Sequence, residues 1–258
     1  MNNELNYIQD IEIKKTIDRF IDSLVSVKRC SSIYATDFMN PKEIEYAKAI
    51  LNKEKTIGYL VTNNPINAEN SIIIMWDNFI YSSEYINIFD YIGILKIETS
   101  QQINHRDILG AVLNLGINRD KIGDIFKHKD RFYICATKTM VKFLNMNLSK
   151  IKKFNVETQI IEENIDKDEE KHKSFSGIIN SNRLDCVVSE MVNISRKDAQ
   201  IIIKQKKVKL NYEVVDSISK SVEENSIASI RGYGRFRIIS YPGVTKKDKL
   251  RIDYIKYI

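Results

Sequence analysis

The sequence predicts an α+β protein built from three successive pieces, and three observations carry that reading. Helical apolar stripes alternate with β-type runs at the start, a β-α-β-β-α-β order follows, and the basic excess is confined to the last third. With 258 residues and 43% apolar side chains, the chain can bury more than one core.

The first piece is an N-terminal α/β domain over residues 1–85. "LNYIQDIEIKKTIDRFIDSLVSVKR" places Ile13, Ile17, Phe20, Ile21 and Leu24 at helical spacing, the stripe of a helix lying on a core. A second helix opens at "NPKEIEYAKAI", with Asn40 as N-cap and Pro41 at the first helical position. "SSIYATDF" and "TIGYLVTN" read as strands, and "NNPINAENS" as a turn cluster.

Residues 86–163 form the second piece. "YIGILKIET" is a strand, "NHRDILGAVLNLG" a helix ended by Gly116, and "KIGDIFKH" and "RFYICAT" are strands joined by a polar turn. "KTMVKFLNMNL" is a helix and "KIKKFNVETQII" a last strand. That order is the ferredoxin-like (RRM-like) arrangement. RNA-recognition domains stack bases on aromatics of the central strands and carry a basic, glycine-rich third strand. "RFYICAT" lacks that signature, and alternation turns either Phe132 or Tyr133 into the core. The expectation is this fold without the usual RNA face.

A charged, apolar-poor run at 164–174 reads as a linker, and a third domain follows over 175–258. Residues 1–173 hold 24 Lys/Arg against 25 Asp/Glu, a net of −1, whereas residues 174–258 hold 16 against 9, a net of +7. A basic module on a neutral body points to a polyanionic partner. "SRKD" predicts a capping box, Ser195 capping a helix while Asp198 reaches back to the cap amide. Ala199, Ile202 and Ile203 face inward, leaving Arg196, Gln200, Lys204 and Lys207 together on the other face, where they can neutralise phosphates. "KVKLNYEVV" is a strand, a turn at Asn211–Tyr212 and a returning strand, and "SIASIRGYGRFRII" supplies the last two strands. Gly232 and Gly234 let backbone approach a ligand, and alternation sends Arg235 and Arg237 opposite to Phe236. Each lysine alone reads as a solvated surface residue; grouped with Arg231, Arg235 and Arg237, they read as an anion-binding surface.

Catalytic patterns are absent. The "HRD" at His105–Asp107 has its asparagine at Asn114 rather than five residues on, and no glycine-rich phosphate loop or DFG accompanies it. No dinucleotide fingerprint or P-loop occurs, and His105, His128 and His172 have no companions at ligand spacing. Cys30, Cys135 and Cys186 are far apart and read as reduced, buried thiols. The start of the chain has no apolar signal core and its longest apolar run, "SIIIMW", is too short to span a bilayer. A cytoplasmic monomer without enzymatic activity, metal, cofactor or membrane partner is expected.

The RLD at Arg183–Asp185, SRxxA at Ser195–Ala199, VxLN at Val208–Asn211 and RGxGRF at Arg231–Phe236 together resemble the S-four-type RNA-binding domain, named after a small-subunit ribosomal protein. With "HRDILGAVLNLGINRDKIGDI" at 105–125, the likeness extends to the bacterial YlmH family. The resemblance implies RNA (rRNA, and tRNA with it) on the large ribosomal subunit as partner, and a role in quality control of stalled peptidyl-tRNA linked to cell division. It implies Arg183, Arg196 and Lys197 as RNA contacts, with Gln200, Lys204, Lys206, Lys207, Lys209, Arg231, Arg235 and Arg237 beside them, and Asp185 as an arginine-orienting residue. Arg196 is expected to project from the helix start toward phosphate, so that Arg196→Glu would spare the fold. Lys206 replaces the family's helix-ending glycine, so the helix end must adopt a left-handed conformation at some cost or close differently, and Asn225–Ser226 replaces its Gly-Asp turn. Asn63–Asn64 and Asn70 depart from a glycine pair and a basic residue. Two alternatives stay open: an accessory or targeting part of an RNA-modifying enzyme, since such domains accompany pseudouridine synthases and rRNA methyltransferases, and a protein-interaction module.

Overall fold

The computed structural model describes residues 8–62, 68–165, 167–168 and 170–258. It is an α+β chain that divides into two compact units, Met1–Asp168 and Glu169–Ile258.

In the first unit α1 (Ile11–Cys30) is capped by Asp10, whose carboxylate accepts from the Glu12 and Ile13 amides at 3.0 and 3.4 Å. Next come β1 (Tyr34–Ala35), α2 (Pro41–Leu51), β2 (Ile57–Thr62) and β3 (Ile72–Asp77), the strands pairing antiparallel in the order β1-β3-β2. The strand expected at "SSIYATDF" shrinks to two residues because the Thr36 hydroxyl takes the Ile73 amide at 2.9 Å in place of a backbone carbonyl, and pairing resumes only as the single bridge Met39–Ser71. Of the expected turn cluster, residues 63–67 lie outside the described residues. The "SIIIMW" run becomes β3, apolar throughout because both its faces are covered. Ile73 and Met75 join the core of α1 and α2, while Ile72, Ile74 and Trp76 pack with Phe38, Ile92 and Cys135.

The unit continues with β4 (Ile92–Glu98), α3 (His105–Asn114), β5 (Ile122–His128), β6 (Arg131–Thr137), α4 (Lys138–Asn147), β7 (Lys150–Ile151), β8 (Phe154–Asn155) and β9 (Glu157–Ile161). Four of these strands form an antiparallel sheet in the order β5-β6-β4-β9. The last strand expected at "KIKKFNVETQII" is instead the small hairpin β7–β8, turning where Lys152 has a φ of 56°, followed by β9. One face of the sheet buries Leu95, Ile97, Ile134 and Ala136 against Ile108 and Val112 of α3 and Val141 and Leu144 of α4. The other face is covered as well. Ile92 and Cys135 meet β3, and Ile94, Phe126 and Tyr133 meet Ile165, which is 8% exposed although it lies in the charged run.

The second unit holds β10 (His172–Ile179), α5 (Leu184–Val192), α6 (Arg196–Lys204), β11 (Val208–Leu210), β12 (Glu213–Val214), β13 (Ile227–Ile230), β14 (Gly234–Ser240) and β15 (Leu250–Tyr257). Its sheet runs β10-β15-β14-β13-β11-β12. The strands at "SIASIRGYGRFRII" are present but are not the last. β15 follows and pairs with β10 from His172↔Tyr257 to Ile179↔Leu250, so His172–Ser174 of the charged run are strand. Helices α5 and α6 cover one face of this sheet, packing Leu184, Val187, Val188, Ala199 and Ile203 against Val208, Ile230, Phe236 and Ile252.

The first unit depends on a close approach at Gly123 in β5, where an added Cβ would lie 2.5 Å from the buried Phe38 ring. Gly123→Ala is expected to destabilise this unit by about 1–3 kcal/mol, measured by thermal unfolding followed through Trp76 fluorescence.

Candidate nucleic-acid interface

Asp185 lies in the first turn of α5 and has no exposed surface. A lone carboxylate could not stay ionised there, and three side chains compensate it. Arg183 donates Nε and Nη2 to its two oxygens at 3.1 and 3.3 Å; Arg196 Nε and Gln200 Nε2 reach Oδ2 at 2.9 and 2.7 Å. Burial alone would raise the Asp185 carboxyl, but the hydrogen bonds from Arg183, Gln200 and Arg196 outweigh it and hold it well below the ordinary carboxylate range. The same bond raises the Arg196 guanidinium. The side chains of Arg183 and Arg196 remain 38% and 46% exposed, so the hub presents two fixed cations to solvent.

The α5–α6 turn brings these groups together. Asn193 closes α5 in the left-handed conformation at φ 52°, and Ser189 Oγ donates to the Ile194 carbonyl at 2.6 Å. Ser195 caps α6 by accepting from the Asp198 amide at 3.1 Å. The predicted capping box is half formed: the Asp198 carboxylate takes the Ser195 hydroxyl at 2.6 Å in place of the cap amide. The expectation for Arg196 is also corrected. Its head is tied to Asp185, so Arg196→Glu would set a second carboxylate against a buried one, and the fold would suffer.

Lys197, Lys204, Lys206 and Lys207 are exposed and have no ion pair among the described residues. Lys206 adopts φ 57°, its amide bonding the Ile203 carbonyl and that of Lys207 the Ile202 carbonyl, the pattern with which helices ending in glycine close. Asn225 takes the expected left-handed turn at φ 63°. Arg231 donates its amide to the Lys207 carbonyl at 2.9 Å, which sets the β13–β14 turn beside the end of α6.

Lys209, Arg235 and Arg237 do not join that group. Val208, Leu210, Ala228, Ile230, Phe236 and Ile238 belong to the helix-covered core, so by alternation the three cations stand on the opposite face of the sheet. There the Arg235 guanidinium lies over Tyr212 at 5.7 Å and Tyr257 at 5.2 Å and donates to Tyr212 Oη at 3.1 Å. Arg237 donates to Asn225 Oδ1 at 3.2 Å. Sequence reading missed both tyrosines, because neither lies in a motif and only the sheet brings them to Arg235.

Among its described residues the first unit shows no such buried carboxylate tied to two arginines. Tyr133 is 6% exposed and stacked on Phe126 at 5.4 Å, and Phe132, half-buried with Lys127 5.0 Å over its ring, leans on the helix side, so the opposite face of the sheet presents neither ring to a base. The "HRD" is the start of α3, capped by Asn104 with Asp107. Among the described residues no group of three or more His, Cys, Asp or Glu is placed to hold a metal, and no helix is long and apolar enough to cross a membrane. Cys135 and Cys186 are buried, whereas Cys30 is exposed, against expectation.

Fold and surface define a two-unit α+β chain whose second unit carries positioned surface cations. Residues 91–165 match a family model described as the putative RNA-binding domain in YlmH. Over 240 residues the chain is 27% identical to "Ribosome-associated protein quality control protein P2" of Bacillus subtilis (strain 168), covering 91% of this chain and 93% of that protein. Among solved structures it is similar to "Cell division protein ylmH from Streptococcus pneumoniae", with 23% identity and a TM-score of 0.49 over 58% of this chain and 92% of that one. The likeness to the YlmH family read from the motifs is confirmed by the first two of these matches.

Asp185→Asn is expected to lower the stability of the second unit by roughly 2–3 kcal/mol at neutral pH, less than for a fully buried pair because both guanidinia reach water. A carboxyl held low in the fold stabilises above the ordinary range near pH ~4, and that contribution is lost as pH falls further. Wild type should therefore lose stability below about pH 4 more steeply than Asp185→Asn, as read by hydrogen exchange at α5 and α6.

Proposed function

We propose that this chain is a non-enzymatic RNA-binding protein that works on ribosomes. In this reading the second unit is an S-four-type domain whose RNA face is the helix side: Arg183, Arg196, Lys197, Gln200 and Lys204, continued by Lys206, Lys207 and Arg231 at the tip. The observation that carries it is the Asp185 hub. A buried carboxylate that fixes two half-exposed guanidinia organises a surface, since an apolar residue would serve packing better. The net charge of +7 over residues 174–258 supplies the attraction to phosphate.

The strand order β5-β6-β4-β9 supports reading residues 91–165 as a ferredoxin-like domain, and the match to a putative RNA-binding family supports an RNA role for it. Its base-stacking face is occupied by β3 and Ile165, so any RNA contact there runs through its helices, loops or edges. The name of the Bacillus subtilis relative supports placing the chain in ribosome-associated quality control. The large subunit with peptidyl-tRNA as target, and a link to cell division, come from the family resemblance. A protein contact by the first unit is a second reading, favoured by Phe79, Ile80 and Tyr85, which are 85%, 57% and 79% exposed.

The combined variant Lys197→Glu, Lys204→Glu, Lys207→Glu should leave unfolding within about 0.5 kcal/mol of wild type per site. It should abolish co-sedimentation with large subunits, and wild-type binding of a structured RNA should fall steeply on a log–log salt plot. Unchanged sedimentation would refute the helix side as the RNA face. Ala199→Asp is the control that buries an unpaired charge and unfolds the unit.

A fragment of residues 170–258 should fold alone and keep most RNA affinity. One starting at Phe175 should be less stable, because it loses the His172–Ser174 pairing with β15 and the Ile258–Lys171 bond, a difference that thermal melts of the two fragments would show.

A further inference from the structure

We propose that the open face of the C-terminal sheet is a second RNA contact, one that takes an unpaired strand by stacking around Arg235. The proposal rests on the RNA-binding reading above but uses the side of the sheet away from α5 and α6.

Strand register lines up a row across five strands. His172 pairs with Tyr257, Ser229 pairs with Arg235, and Lys209 pairs with Ser229. The Arg235–Tyr257 ring contact at 5.2 Å closes the gap between β15 and β14. At ~4.8 Å per strand the row is about 19 Å long, three or so stacked-out nucleotides, with cations at its centre and end. Tyr212 also holds Arg235, accepting from it at Oη, so the guanidinium is fixed before any ligand arrives. Such planes and tyrosine rings are what splayed bases stack on, while Lys209 and Arg237 flank them for phosphate. Lys209 is exposed and has no ion pair among the described residues. One carboxylate, Asp253, shares the face; it lies beyond Arg237 and accepts the Ser176 hydroxyl at 2.6 Å. Bases in a duplex are already stacked on one another and cannot lie on an arginine plane or a tyrosine ring, so a stacking row selects the unpaired strand.

The test uses the full chain and two fluorescent probes, a twelve-nucleotide oligo(A) and a short RNA hairpin, with binding read by anisotropy. Arg235→Lys keeps the charge but loses the plane, and Tyr257→Leu removes the ring. Both should weaken oligo(A) at least about fivefold and leave the hairpin within about twofold. Lys197→Glu with Lys204→Glu should do the reverse. The proposal is overturned if wild type does not bind oligo(A), if Arg235→Lys and Lys209→Gln, an exposed change, bind it as wild type does, or if both probes weaken together. A hairpin unaffected by the helix-side variant would instead sink the helix-side reading, and oligo(A) loss in the sheet variants would still support this one.

Discussion

The ionised carboxylate of Asp185 is the constraint around which the second unit is arranged. With no exposed surface, it requires donors from Arg196 and Gln200 of α6 and from Arg183, the N-cap of its own helix, and those donors fix where α5 and α6 start relative to one another. Interaction energy flows both ways here. The arginines keep the carboxylate charged, and the carboxylate removes most of their rotamer freedom, so a ligand meeting them incurs less ordering entropy. Hence the cations that look most functional in the motifs are also structural, and their substitution cannot separate binding from folding. The exposed lysines of α6 can.

The first unit obeys a different constraint. Its four-stranded sheet is covered on both faces, by α3 and α4 on one and by β3 and Ile165 on the other. A sheet with both faces dry must be apolar on both, which explains runs such as "IGIL" and "YICA" and the fully buried Cys135, whose thiol burial pushes far above its ordinary range. The same covering removes the stacking surface that this strand order offers elsewhere.

Much of this was legible in the sequence where the signal was local. Helix caps at Asn40 and Ser195, the hairpin at β5–β6 and the alternation around Phe236 depend on neighbours a few residues apart. For Lys206 the family resemblance allowed two outcomes, a left-handed residue or a different closure, and the helix end takes the first. What escaped was set by distant pairing. β10 looks like linker because "HKSFSG" is polar, and only its partner β15, some 80 positions on, makes it a strand. The buried tie of Arg196 escaped for the same reason: nothing in "SRKD" indicates that Asp185 lies across the helix turn. The split of the basic residues into two faces needed the register as well, since a cation count cannot tell one side of a sheet from the other.

That split limits how one RNA could use the whole module. The helix layer and the open sheet face point away from each other, separated by a helix packed on a sheet, about 10 Å between layers. They come together at the tip where the Arg231 amide bonds the Lys207 carbonyl and where Gly232 and Gly234 take φ values of 90° and 115°. A stiff duplex lying along α6 cannot bend round this edge within so short a distance, whereas a single strand leaving a duplex can. The two glycines leave backbone without side chains where such a strand would cross; an added Cβ at Gly232 meets nothing within 4 Å, so Gly232 is there for conformation rather than packing, while one at Gly234 would touch Lys256 Cε at 3.4 Å. If both proposed faces take RNA, a junction between paired and unpaired RNA suits this unit better than either element alone, because it alone presents a groove-side backbone to the fixed arginines and free bases to the opposite face.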